Sequence, residues 1–169
     1  MSPHARARRQ PGWICALLWL IVLGTMAGIF AFSAQEGDAS WSSSGRVTRA
    51  IIAVIQPDYP TFSVYEQTRL YETVQLIVRK GAHFLEYAWL GFWLFWLANA
   101  YALDYAAAIA WMAGTLYAAG DELHQLFVSS RTASWRDIGL DAAGVLAGAC
   151  VAWLAARLWR RRKLRRCQG

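Results

Sequence analysis

Charge is scarce in this chain, and acid is missing from both of its ends. Charged residues make up 17% of the 169 residues, against 57% hydrophobic, with 10 tryptophans. That balance excludes an ordinary soluble domain and points to a membrane protein of one domain. Only three cysteines are present, with Cys15 and Cys150 in apolar runs and Cys167 in a basic tail. Their spacing excludes a disulfide framework and shows no metal-binding pattern. Neither a nucleophile elbow nor a phosphate-binding glycine loop occurs.

The charge that exists is unevenly placed. Ten of the 17 basic residues are Arg6, Arg8, Arg9, Arg157, Arg160, Arg161, Arg162, Lys163, Arg165 and Arg166, at the two ends. The middle carries the other seven and all 11 acids, a net of −4. Basic ends around an acidic, apolar middle predict that both termini are cytoplasmic under the positive-inside rule. A basic tail also suits nucleic acid, but this one directly follows an apolar helix, and no nucleic-acid partner is expected.

Four apolar stretches, at about 13–33, 80–100, 104–127 and 135–159, are long enough to span a bilayer of about 30 Å. The expected fold is all-α, a polytopic four-helix transmembrane bundle in the cell membrane. Residues 1–12 and 160–169 form basic cytoplasmic ends. The first stretch also resembles a signal peptide, since three arginines precede it. It exceeds a usual signal core, so a retained anchor is expected. Residues 34–79 form the first outer segment. Within it, 34–45 reads as a Ser- and Gly-rich loop and 46–56 as a short amphipathic helix. Ser63 and Glu66 form a capping-box pattern that opens a helix to about Val78. These short helices are expected to lie at the outer interface or to fold over the bundle. Asp104 suits an N-cap for the third span. Gly144 and Gly148 allow close helix approach.

This topology brings polar residues from four helices to the outer end: Ser33 and Gln35, then Arg79, Lys80, His83 and Glu86, then Asp121, Glu122, His124 and Gln125, then Asp137 and Asp141, with Arg131 and Arg136 alongside. The pairs His83/Glu86, Asp121/Gln125 and Asp137/Asp141 each share a helix face. Intramembrane ionisable groups are costly and usually face a bundle interior or a wet cavity. A polar pocket open to the outer face follows. The outer arginines suggest an anionic ligand.

Three motifs and a fragment resemble the VanZ-like family: 79-RKGAHFLEY-87, 120-GDELHQLF-127, 131-RTASWRDIGLDAAG-144 and 32-FSAQ-35. The resemblance covers roughly residues 13–155. It departs at Asp141, where the family is expected to have Asn. It implies a small cell-envelope membrane protein with no defined reaction. The namesake member is associated with low-level resistance to the lipoglycopeptide teicoplanin.

Two functional readings follow. In one, the site binds or processes the anionic headgroup of a membrane lipid or lipid-linked cell-wall precursor. His83, Glu86, Asp121 and Glu122 are the candidate acid–base groups. Ser33, Gln35, Arg79, Lys80, His124, Gln125, Arg131, Asp137 and Asp141 are the candidate binding residues, with the cations on phosphate or carboxylate. In the other, the protein is a non-catalytic accessory, or its charges merely hold the bundle together through pairs such as Arg131–Asp137 or Lys80–Asp121. No cofactor or metal ligand is predicted. A divalent cation on His83, Glu86, Asp121, Glu122 and Asp137 is a lesser variant, because H-x-x-E falls short of H-E-x-x-H.

Overall fold

The computed structural model describes residues 9–34, 37–127 and 134–166, with the side chains of 37–44 and 163–166 outside that description. All of its regular structure is helical. Five helices follow one another: α1 Gly12–Ser33, α2 Gly37–Ile55, α3 Val64–Ala100, α4 Ala106–Gln125 and α5 Trp135–Arg166, with a single 3-10 turn at Tyr59–Thr61 before α3.

α3 organises the rest. At 37 residues it is roughly 55 Å long. Ser63 opens it as expected: its hydroxyl accepts from the Glu66 N–H, and the Glu66 side chain accepts from the Ser63 N–H at 3.0 Å. The expectation of one helix to Val78 and a separate span from Lys80 is corrected, because α3 runs through without a break. Neither proline nor an unsatisfied turn interrupts 63–100, so nothing stops helix propagation there. The expected loop at 34–45 is also corrected, since α2 begins at Gly37. The first half of α3 packs against α2, where Thr48 and Ile52, one turn apart, are buried.

The second half of α3 packs against α1, α4 and α5. Its tightest partner is α5. A Cβ on Gly148 would lie 1.7 Å from the Ala88 carbonyl oxygen, and one on Gly144 2.5 Å from that of Phe84. From the other side, a Cβ on Gly91 would lie 2.2 Å from the Val145 carbonyl oxygen. Helices this close need glycine at the crossing. The core at this level comprises Val22 and Ile29 of α1, Tyr87 and Leu90 of α3, Ala118 of α4 and Val145 of α5.

α1 and α4 run one way, and α3 and α5 the other. At one end the Gln10 N–H donates to the Ala100 carbonyl at 2.9 Å, the Trp19 indole donates to the Tyr101 hydroxyl at 3.1 Å, and the Arg9 guanidinium sits over the Tyr101 ring. The turn between α3 and α4 uses Ala102 and Tyr105 in the left-handed region. Tyr105 is the N-cap of α4 and no side chain caps it, so the expected capping role of Asp104 is not met. At the opposite end lie the C-termini of α1 and α4 and the N-terminus of α5. Helices 12–33 and 135–162 are long and apolar enough to cross a membrane. α3 and α4 interrupt their apolar runs with His83, Glu86, Asp121 and Glu122.

Candidate functional site

The end of α4 turns its acids inward. Asp121 is 4% exposed and Glu122 4%, while Leu123 and Leu126 on the same turns point outward. Asp121 Oδ2 collects three donors. The Ser33 hydroxyl donates from α1 at 2.7 Å, the Gln125 amide at 3.1 Å and the Tyr87 hydroxyl from α3 at 3.2 Å. The Gln125 amide also reaches the Ser33 oxygen at 3.4 Å. One carboxylate oxygen thus ties three helices together. Its other oxygen, Oδ1, is buried and has no hydrogen-bond partner among the described residues.

Glu122 does different work. Its Oε1 accepts from the Ser134 N–H at 2.5 Å, just before α5. The first N–H groups of a helix lack partners and carry partial positive charge, so a carboxylate there is both cap and counter-charge. Asp141 lies a turn further along α5, 3% exposed. It interacts electrostatically with Asp121, Glu122, Asp137 and Glu86. Glu86 in turn interacts with Asp121. Five carboxylates from three helices therefore gather around this end.

The basic residues are at the rim. Lys80 forms an ion pair with Asp137, rather than the pairing with Asp121 read from the sequence. Arg136 is exposed and sits over the Trp135 ring. Arg79 is half-buried and no ion pair or hydrogen bond holds it among the described residues. His83 is half-buried. The His124 ring packs on Phe30 with centroids 4.3 Å apart, and its Nδ1 is buried without a partner among the described residues. Gln35 and Arg131 lie outside the described residues.

Glu86 also opens sideways. A groove of about 380 Å³ runs between α1 and α3, with Thr25, Gly28, Ile29 and Phe32 on one wall and Leu85, Glu86 and Trp89 on the other. Its surface is apolar apart from Glu86 and Thr25. Among the described residues no three His, Cys, Asp or Glu side chains are arranged to hold a metal ion.

Two participants are not apparent from the sequence. Tyr87 is fully buried and donates to Asp121. Tyr117 donates to the Met26 carbonyl at 2.6 Å, fixing α4 to α1 a turn below the acids. Both sit among aromatic residues, and only their hydroxyls distinguish them from the lipid-facing or packing aromatics around them. Chemically, the arrangement offers a rigidly held carboxylate with one open oxygen, a second buried carboxylate, and cations at the edge. Ser33 is wholly buried and donates to Asp121, which makes it a positioning group.

Compared with known proteins, residues 17–157 match the family model VanZ/LLP1. No curated protein and no solved structure matches the chain.

Proposed function

This chain belongs to the VanZ/LLP1 family, and from that premise we propose that it is a multi-pass cell-envelope protein whose polar end takes the phosphate-bearing headgroup of a membrane lipid or lipid-linked cell-wall precursor. The observation that carries this reading is the inverted polarity of the bundle. Asp121, Glu122 and Asp141 are buried while Leu20, Leu23, Leu116, Trp89 and Val151 are exposed. Exposed apolar side chains around buried ionisable ones suit a lipid surround, and ionisable groups inside such a bundle mark a functional site.

In this reading α1, the second half of α3, α4 and α5 cross the bilayer. The polar end faces outward and both termini are cytoplasmic. Arg9, Arg157 and Arg160 lie towards the end opposite Asp121, as the positive-inside rule asks. Arg79 at the rim takes the phosphate in a bidentate manner. Sequestering such a headgroup would limit its capture by a lipoglycopeptide, which connects the site to teicoplanin resistance.

The test is the lipid that co-purifies with the full chain, identified by mass spectrometry. The expected result is one phosphate-bearing lipid retained by the wild type and depleted about tenfold by Arg79→Gln, the loss of about 1.5 kcal/mol expected for one charge-assisted hydrogen bond. Equal and indiscriminate lipid in both would instead support a structural role for the charges. The Lys80–Asp137 pair and the Glu122–Ser134 cap favour that alternative. Processing and binding separate at Glu86→Gln: turnover would be lost with binding kept.

A further inference from the structure

The polar end buries carboxyl groups whose acceptor oxygens the described residues only partly satisfy. Asp121 is over nine-tenths buried and its Oδ1 has no hydrogen-bond partner among the described residues. Asp141 is equally buried and no hydrogen bond to its carboxylate exists among the described residues. Glu86 interacts electrostatically with both. The nearest described ammonium, that of Lys80, is held by Asp137. A buried polar atom without a partner is costly, and a buried charge more so. A phosphate placed among these carboxylates would be repelled.

Resting on the headgroup reading above, we infer that the ligand is zwitterionic, with a protonated primary amine that enters between Asp121 Oδ1 and Asp141 while its phosphate stays at the Arg79 rim. An ammonium has three donors and no acceptor. It matches an open carboxylate oxygen on α4 and a carboxylate on α5 that accepts no hydrogen bond among the described residues. The groove between α1 and α3 supplies the approach. It is apolar enough for an acyl chain, and Glu86 is its one charged wall residue, placed to draw a cation inward.

The experiment uses the full-length protein in detergent and native mass spectrometry. It receives an equimolar mixture of phosphatidylethanolamine, phosphatidylglycerol and phosphatidylcholine of matched chains. The expected result is preferential retention of phosphatidylethanolamine, about tenfold over each of the others, the size of one charge-assisted hydrogen bond. Asp141→Asn keeps the shape and gives up no hydrogen bond among the described residues. It should erase that preference, so that phosphatidylethanolamine is retained no better than phosphatidylglycerol, and its melting temperature shows that it folds. Asp121→Asn should act in the same direction. Equal retention of phosphatidylethanolamine and phosphatidylglycerol would overturn the amine site and leave the phosphate reading standing. Equal retention of phosphatidylethanolamine and phosphatidylcholine would also overturn it, because the latter has no N–H to donate. A preference that survives Asp141→Asn would move the amine elsewhere and overturn it too. Retention of no lipid would overturn both readings together.

Discussion

At the scale of the residue, Asp121 is the joint of the molecule. Three donors from three helices converge on one of its oxygens. Hydrogen bonds to a charged group contribute about 1.5–3 kcal/mol each, more than neutral ones. Tyr87→Phe keeps the ring and removes one donor, so it should destabilise by about that amount in thermal unfolding of the detergent-solubilised protein. Ser33→Ala should cost a similar amount and additionally loosen the end of α1, read as faster hydrogen exchange at Ile29–Ser33. If Tyr87→Phe unfolds like the wild type, the carboxylate does not depend on these donors. Glu122→Ala leaves the N–H of Ser134 without its acceptor and should cost about 1–3 kcal/mol.

At the scale of the element, the crossing of α3 and α5 leaves no room for a side chain at Gly148. Gly148→Ala drives a methyl into the Ala88 carbonyl and should lower stability by about 1–3 kcal/mol or more, since backbone must move. Gly139 is the control: a Cβ there meets nothing within 4 Å, and alanine in a helix is favoured over glycine by about 0.5–1 kcal/mol. Gly139→Ala should therefore be neutral or stabilising in the same melting experiment. The start of α3 makes a pH prediction. The Ser63 hydroxyl, and then its backbone N–H, hold the Glu66 carboxyl below its ordinary range. A group with a lowered folded pKa stabilises fully above its unfolded pKa, and the effect is lost as pH falls through the folded one. Amide exchange in the first turn of α3 should thus rise on acidification below about pH 4, and Ser63→Ala should remove that dependence.

At the scale of the whole molecule, the opposed directions of α1 and α3 and of α4 and α5 put Arg9 and the described end of α5 at the end opposite Asp121 and Glu122. Arg9 lies by Tyr101 at the turn between α3 and α4, and the end of α5 extends the same way. If the bundle spans a membrane as proposed, a reporter fused before Arg6 and one fused after Gly169 should both be active only in the cytoplasm. Opposite behaviour of the two would require an odd number of crossings. The exposed belt of leucine, tryptophan and valine predicts that the protein partitions into membranes and aggregates when detergent is withdrawn.

What the sequence determined is what local chemistry and charge bias can encode. Ser63 and Glu66 specified a helix start because a capping box is closed within four residues. Gly144 and Gly148 marked a close crossing because only glycine permits one. Apolar runs broken by His83, Glu86, Asp121 and Glu122 indicated that polar groups collect at one end of an all-helical chain. The tertiary structure decided the rest, because partner choice depends on helix rotation and separation that a single strand of letters does not contain. It gave Lys80 to Asp137 instead of Asp121, since α5 presents its first turn to α3. It placed Glu122 on the N-terminus of α5 and brought Tyr87, indistinguishable in sequence from a packing aromatic, onto Asp121. It also ran α3 unbroken through Val78–Lys80, because α2 covers its first half and removes any need to end the helix at the last apolar span. The open oxygen of Asp121 belongs to this second class: only the packing of α1, α3 and α4 could occupy one side of that carboxylate and leave the other without a partner.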